Sequence, residues 1–261
     1  SGATLTGVSS GGILGTPSAL PPNWTLVSGW LLGPGANLVH ANFSGLDLAG
    51  LDLAGADLNS ADLDSTDLSG ATLTGVSSGV ILGTPSALPT NWTLMGGYLL
   101  GPGADLVVAN LSGLDLAGLD LAGANLSSAN LNSANLDSAD LSGATLAGVL
   151  AGGIVGTPSA LPPNWTLIGG WLIGPDVNLS FANLSGLDLA DVDLAGATLS
   201  SANLNFTDLD GANLSSAYLD YADLDGASLS GAQVGGIYWF HTTCPDGTSS
   251  DSDGGTCVND L

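Results

Sequence analysis

The chain has 261 residues with no Lys, no Arg and 24 acidic residues, all of them Asp, so its formal net charge at pH 7 is −24. Ion pairs with Lys or Arg are excluded, and so is binding to nucleic acid or to an anionic membrane through a basic patch. Cations and basic proteins are the partners that this charge allows. The apolar stretches are broken by Gly and Pro and fall far short of the roughly 20 residues of a spanning helix, so no membrane insertion is predicted.

A five-residue period begins at Ala36. The chain reads ANLVH, ANFSG, LDLAG, LDLAG, ADLNS, ADLDS, TDLSG and ATLTG, with a large apolar residue at the centre of each pentad from Leu38 to Leu73. Amphipathic helices repeat near 3.6 residues and half-buried strands at 2, so a period of five fits neither element. A square coil with one short bent strand on each side would instead turn one large apolar residue inward per side.

Two further blocks of pentads run from Ala104 to Gly148 and from Val177 to Gly236. The pattern A-(D/N)-L-x-x resembles the pentapeptide-repeat family. That resemblance implies an all-β, right-handed quadrilateral β-helix with four pentads per coil. The central Leu or Phe, and the small residue two positions before it, would point inward.

This assignment predicts complete burial of the central leucines, among them Leu48, Leu68, Leu116, Leu136, Leu189 and Leu209. A few leucines stand where the small residue is expected, namely Leu46, Leu51, Leu114, Leu119 and Leu187. We interpret them as a thicker layer of the core.

A longer repeat is superimposed on the pentads, because SGATL recurs at residues 1, 69 and 142. Each long repeat contains GTPSALP(P/T)NWTL, and Leu5 and Leu38, like their counterparts, are separated by 33 residues, which is not a multiple of five. Proline cannot donate a ladder hydrogen bond, so we predict three Pro-rich surface excursions, each followed by a strand that returns to the stack. The predicted domains are a solenoid over 1–237 and an acidic cap or tail over 238–261.

Aspartates recur twenty residues apart, as in Asp47 and Asp67, Asp120 and Asp140, and Asp188 and Asp208. One coil of four pentads would stack each pair at the strand spacing of about 4.8 Å, where like charges repel. At other places Asn stands at one of the two stacked positions. Asn135 is expected over Asp115 and Asn213 over Asp193, which would dilute the repulsion between carboxylates and form amide ladders. These stacks of Asp and Asn, the Asp columns, either keep the solenoid soluble or bind divalent cations.

The segment CPDGTSSDSDGGTC places four oxygen-bearing residues between two cysteines. Asp246, Ser250, Asp251 and Asp253 with neighbouring glycines resemble the Asp-rich calcium loops of extracellular modules, without the distal Glu of an EF-hand. The alternative is a plain acidic turn closed by a disulfide. A disulfide between Cys244 and Cys257 favours an oxidising compartment, and an exported protein would be represented here by its mature part.

Trp24, Trp92 and Trp165 occupy the same place in the three excursions. They either pack the excursion onto the solenoid or form aromatic platforms for a glycan or a partner. The two histidines, His40 and His241, lie far apart and neither neighbours a nucleophile, so no catalytic residue is assigned and an enzyme is not expected.

The sequence favours an extracellular structural protein, such as a subunit of a surface fibre, filament or adhesive stalk, with head-to-tail self-association. Ser1 and Gly2 read as the remainder of a preceding pentad, so the first coil is expected to be open to another subunit or to a longer array. The alternatives are a DNA-mimicking protector of gyrase, of the kind known in the pentapeptide-repeat family, and a glycan-binding or ice-binding solenoid.

Overall fold

A computed structural model describes residues 3–252 and 254–258. The chain forms a right-handed quadrilateral β-helix in which successive pentads make the four sides of each coil. Parallel bridges join residues twenty apart, as in Asn42 with Asp62 and Asp62 with Leu82. Each side contributes one bridging residue per coil, which is why the coils contain isolated bridges rather than long strands.

The coils group into two compact units, each built from the same pentads. Unit 1 comprises Ser1–Ala109, Gly118–Leu126 and Ala139–Thr145, and unit 2 comprises Asn110–Ala117, Ser127–Ser138 and Leu146–Leu261. Unit 1 contains the first two excursions, and unit 2 contains the third excursion and the cysteine-bounded tail.

One pentad, residues 61–65, shows how the sequence makes a corner. Ala61 and Leu63 point inward and are fully buried. The outward Asp62 accepts a hydrogen bond at Oδ1 from the N–H of Asp64, at 3.0 Å. Ser65 has φ of 56°, a left-handed conformation that turns the chain into the next side. Gly fills this corner position in many other pentads because it adopts positive φ without strain.

The predicted inward positions are confirmed. The six central leucines named above are at most 1% exposed. Leu46 and Leu51 differ from the expectation, because they are only half-buried and pack against the edge of the core rather than within it. In the third long repeat Leu187 lies next to Gly169 of the excursion, so this leucine supports the excursion from the outside of the coil.

Each excursion contains an antiparallel β-hairpin. The strands are β1 (Thr25–Val27) with β2 (Trp30–Leu32), β3 (Thr93–Met95) with β4 (Tyr98–Leu100), and β5 (Thr166–Ile168) with β6 (Trp171–Ile173). Two residues of positive φ connect the strands, such as Gly96 and Gly97 at 59° and 82°, as tight hairpin turns require.

A coil that carries a hairpin is lengthened by eight residues. Ser77 is bridged to Asp105, 28 residues on, whereas Asp57 in a plain coil is bridged to Ser77, twenty residues on. The 33-residue gap in the sequence is therefore one lengthened coil plus one pentad.

The coil register continues past the predicted boundary at residue 238. Tyr238 pairs with Tyr218 and Thr243 with Asp223, and the inward positions of these last pentads are held by Trp239 and Cys244, both buried. A 3-10 turn at Ser250–Ser252 follows. Among the described residues there is no α-helix, and hence none that could cross a bilayer.

Candidate functional site

The Asp columns form as predicted, with Asp47 bridged to Asp67, Asp120 to Asp140 and Asp188 to Asp208. Asp47 and Asp67 each also accept a hydrogen bond from the backbone N–H two residues later in the same turn. Asp47 Oδ1 accepts from the N–H of Ala49 at 3.0 Å, and Asp67 Oδ1 accepts from the N–H of Ser69 at 2.8 Å. Asp and Asn at this position therefore satisfy a backbone donor while presenting charge or an amide to the exterior.

A serine two residues after the Asp strengthens this arrangement. The pKa of Asp67 is lowered by the backbone N–H of Ser69 and then by its hydroxyl. The pKa of Asp140 is lowered by the hydroxyl of Ser142 and then by its backbone N–H. Both groups stabilise the charged carboxylate, so these positions hold their negative charge to lower pH.

Asn side chains link neighbouring coils where two carboxylates would otherwise face each other. Asn135 Nδ2 donates to Asp115 Oδ1 at 2.9 Å, and Asn213 Nδ2 donates to Asp193 Oδ1 at 3.0 Å. The expected amide ladders are therefore present at both positions.

In each excursion an asparagine with positive φ donates a hydrogen bond to an Asp of a coil. Asn23 donates to Asp52 Oδ2 at 2.8 Å, and Asn91 and Asn164 make the same contact with Asp120 and Asp193 at 2.9 and 3.3 Å. These bonds span 29 residues, so the five-residue register gave no signal for them.

The three tryptophans singled out in the sequence are half-buried within their hairpins. Trp24 lies on Gly33, Trp92 on Gly101 and Trp165 on Gly174, so closely that a Cβ on any of these glycines would come within 2.4 Å of the indole. One face of each ring is therefore occupied by its own hairpin.

The tail is closed by a disulfide between Cys244 and Cys257, as predicted, with both cysteines fully buried and their Cα atoms 5.3 Å apart. The described candidate metal ligands do not converge. Ser250 is buried and donates to the carbonyl of Trp239, Asp246 accepts from Thr248, and Asp251 faces His241.

Asp253 lies outside the described residues, and within them no three acidic, His or Cys side chains are placed to share a metal ion. The contact of Asp251 with His241 is an ion pair only when the imidazole is protonated. The pKa of Asp246 is lowered by the hydroxyl and then by the N–H of Thr248.

Sequence reasoning missed three buried threonines. Thr66, Thr207 and Thr242 stand at the small inward position, and each hydroxyl donates to a carbonyl 23 residues earlier, at 2.8 to 3.0 Å. The signal was the replacement of Ala by Thr at that position. The hydrogen bond explains how a polar group is tolerated in the core.

Several main-chain groups of the first coil are unpaired among the described residues. We define the first edge as residues 4–9, in which the N–H and C=O of Thr4 and Ser9 and the C=O of Thr6 have no hydrogen-bond partner among the described residues. Beside it lies the hairpin groove, of about 350 Å³ and lined by Ile13, Leu20, Leu31 and their neighbours.

Unit 2 has an open edge of its own, the last edge, at residues 227–234. The carbonyls of Ala227 and Ala232 and the N–H groups of Leu229, Gly231 and Val234 have no partner within the described part of the chain. A groove of about 480 Å³ runs along this edge as far as Pro245.

These features define a β-solenoid assembled from pentads, with an acidic exterior and a Leu-filled interior. The chain belongs to the pentapeptide-repeat family, whose model matches it in eight copies over residues 36–75, 104–148, 178–215 and 196–233, more than half of its length. A search of curated proteins found no match.

Several solved structures are similar. A pentapeptide repeat protein from the Arabidopsis thaliana thylakoid lumen is 21% identical over 49% of this chain, with a TM-score of 0.24, and the match spans 66% of that protein's length. HetL, involved in heterocyst differentiation regulation in Nostoc sp. strain PCC 7120, is 27% identical over 82% of this chain and 83% of its own, with a TM-score of 0.20. QnrB1, a plasmid-mediated fluoroquinolone resistance protein, is 15% identical over 76% and 85%, with a TM-score of 0.22.

Proposed function

We propose that this chain is a non-enzymatic extracellular structural protein, a subunit of a surface fibre, filament or adhesive stalk. The observation that carries the proposal is the hairpin groove of the first long repeat. Ile13 is 36% exposed, whereas its counterparts Ile81 and Ile154 are 8% and 7% exposed. Leu31 is half-buried, whereas its counterpart Leu99 is fully buried.

The later repeats indicate what belongs against this surface. The N–H of Leu82, next to Ile81, donates to the carbonyl of Ala61 in the preceding coil, and the N–H of Val155, next to Ile154, donates to Ala134. Leu14, at the same place in the first repeat, is 96% exposed and makes no such bond to described residues. A coil of pentads is therefore the surface that matches the groove, and a second copy of this chain offers such a coil.

An extracellular or cell-surface location is supported by the Cys244–Cys257 disulfide, because such bonds persist in oxidising compartments. Calcium or another divalent cation, and basic proteins, are the further partners that a charge of −24 favours. The net charge and the Asp columns support both kinds of partner.

Electron microscopy of the native material and sedimentation of the purified chain test the proposal together. Filaments on the cell surface, with concentration-dependent growth of the purified protein, are the expected result. A chain that stays monomeric at high concentration, both with calcium and with chelator, would overturn the filament role.

A DNA-mimicking protector of gyrase is the alternative that family membership keeps open, since QnrB1 is a resistance protein of this fold. The acidic columns favour it, and the three hairpins, which interrupt the plain coil surface, disfavour it. A supercoiling assay with gyrase and a fluoroquinolone separates the two, because a structural subunit should leave the inhibition unchanged.

Glycan binding is a second candidate, favoured by aromatic residues other than the hairpin tryptophans. Tyr221 and Phe240 are 57% and 54% exposed in unit 2, with ring centroids 5.5 Å apart. Such rings present flat apolar faces of the kind that stack on sugars. Quenching or enhancement of protein fluorescence by a panel of glycans, and its loss in Tyr221→Ala, would support this function.

A further inference from the structure

We propose that one side of the coils in unit 2 binds an arginine-bearing segment of a basic protein. This aromatic side is formed by residues 217–221 and 237–241, which lie one above the other. Its outward residues are Tyr218, Asp220, Tyr221, Tyr238, Phe240 and His241. The inference rests on the proposed affinity for basic proteins and gives that affinity a site, and it does not depend on self-association.

The coil does not need aromatic residues at these places. The same side continues through residues 197–201, where Thr198 is bridged to Tyr218 and Ser201 precedes Tyr221 by one coil. Small polar residues therefore form this side equally well. Three of the four tyrosines of the chain nevertheless stand on the aromatic side, which indicates a role outside the coil itself.

The rings form one continuous cluster that faces solvent. Tyr218 and Tyr238 are stacked, with centroids 4.6 Å apart and planes within 1° of parallel. Tyr221 meets Phe240 at 5.5 Å with an interplanar angle of 88°, and both rings contact His241. The exposed fractions of Tyr221, Tyr238 and Phe240 are 54–57%. These side chains project sideways from the coils, away from the edges on which further coils stack.

A carboxylate lies among the rings. Asp220 directly precedes Tyr221 and stands one coil before Phe240. Its carboxylate accepts no hydrogen bond from other described residues, whereas the Asp residues of the columns bind their own turns. Asp251, which faces His241, adds a second carboxylate at the border of the cluster. The aromatic side therefore combines exposed rings with negative charge.

A guanidinium group is the ligand that uses both features. Ring faces attract cations, and Arg can stack on a ring while it binds a carboxylate through its planar fork. The chain has no Lys or Arg, so neither the chain itself nor a second copy can supply such a group. The net charge of −24 attracts a basic partner from a distance. A neutral sugar would use the rings alone and leave Asp220 without a role.

Peptide binding to the full chain tests the site. The probes are a short peptide in which Arg alternates with Gly and its Lys counterpart, followed by fluorescence anisotropy at physiological salt, where long-range attraction is screened. We expect the Arg peptide to bind more tightly. Tyr221→Ser should weaken its binding about threefold to tenfold and remove most of the preference over Lys. Tyr221→Phe keeps the ring and should bind as the parent does.

Two control variants separate the site from the charge of the whole chain. Phe206→Ser should leave binding unchanged, because Phe206 and Tyr221 are both exposed corner residues, with φ of 55° and 60°, on different corners of the coil. Asp220→Asn should weaken binding more than Asp64→Asn, which removes one charge from the same pentad position in unit 1. Circular dichroism checks that each variant is folded.

The possible failures differ from one another. Equal affinity of the parent, Tyr221→Ser and Phe206→Ser would overturn the site and leave any affinity to the Asp columns. If neither peptide binds, the proposed affinity for basic proteins falls with the site, while the filament role is decided separately by sedimentation. A neutral oligosaccharide whose binding is lost in Tyr221→Ser, with binding of the Arg peptide unaffected, would overturn the basic occupant in favour of a glycan.

Discussion

At the scale of single residues, the pentad assigns one task to each position. Leu126 illustrates the inward position: it is fully buried, and its neighbour in the small position, Ala124, is buried beside it. The outward Asp or Asn accepts a hydrogen bond from the backbone N–H two residues later. The corner residue adopts a positive φ, which turns the chain into the next side. Stability therefore depends on two inward side chains in every five, and change elsewhere is tolerated more readily.

Replacing Leu126 by Asp should unfold the coils of the middle block, because an unpaired carboxylate in an apolar core costs several kcal/mol. Leu126→Met is the matched control, since it keeps the volume and should cost below about 1.5 kcal/mol. Circular dichroism during thermal unfolding gives both values. An unchanged melting temperature for Leu126→Asp would show that the inward assignment is wrong.

The serine that follows some Asp residues leads to a prediction on pH. Ser142 lowers the pKa of Asp140 mainly through its hydroxyl, whereas Ser69 acts on Asp67 mainly through its backbone N–H. Ser142→Ala should therefore raise the pKa of Asp140 more than Ser69→Ala raises that of Asp67. Carboxyl carbon shifts in an NMR titration report each pKa separately.

The sign for stability follows from the same shifts. A lowered folded-state pKa contributes stability above the unfolded-state pKa, near 3.9 for Asp, and loses it as the pH falls through the folded-state value. The destabilisation caused by Ser142→Ala should thus be present at neutral pH and vanish in acid. A penalty that is the same at pH 7 and pH 2 would contradict the carboxylate origin.

At the scale of elements, the three hairpins repeat one design: a tight turn, an Asn bonded to an Asp of the coil, and a Trp lying on a Gly. Gly101 has no positive φ that would demand glycine, so the Trp92 ring alone explains it. Close packing of this kind makes the hairpin sensitive to a single methyl group.

Gly101→Ala should destabilise the second hairpin by about 1–3 kcal/mol, because its Cβ would lie 2.3 Å from the Trp92 ring. Gly235→Ala is the control, with open space at its Cβ and no positive φ. Urea unfolding followed by tryptophan emission measures both. The double variant Gly101→Ala with Trp92→Ala should cost less than the sum of the single variants, and strict additivity would argue against this contact.

These elements also show what the sequence can and cannot predict. The register of five predicted the coils, the buried leucines and the Asp columns, because each depends on residues a fixed number of positions apart. The bond from Asn91 to Asp120 depends on how a hairpin folds back, and the hydroxyl bond of Thr66 crosses between coils. The bond of the buried Ser250 to the carbonyl of Trp239 likewise carries no signal in the five-residue period.

At the scale of the whole molecule, charge is the dominant feature, since −24 is carried without any Lys or Arg. The columns hold carboxylates at a spacing where they repel, and Asn relieves the repulsion at some positions only. A molecule of this kind is stabilised by whatever neutralises its surface. Simple screening by salt and specific binding of a divalent cation would both do so.

Calcium should raise the melting temperature more than sodium chloride of the same ionic strength, and chelation should reverse the gain, because a ligand bound by the folded state alone stabilises it by mass action. The location is tested by two variants that each remove one charge. Asp246→Asn alters the tail and Asp67→Asn alters a column, where Asp67 faces Asp47. If the columns bind calcium, the gain shrinks in Asp67→Asn and persists in Asp246→Asn, and the reverse result assigns the ion to the tail. Equal melting temperatures in calcium and in matched sodium chloride would leave the Asp residues with their turn-forming and solvating roles alone.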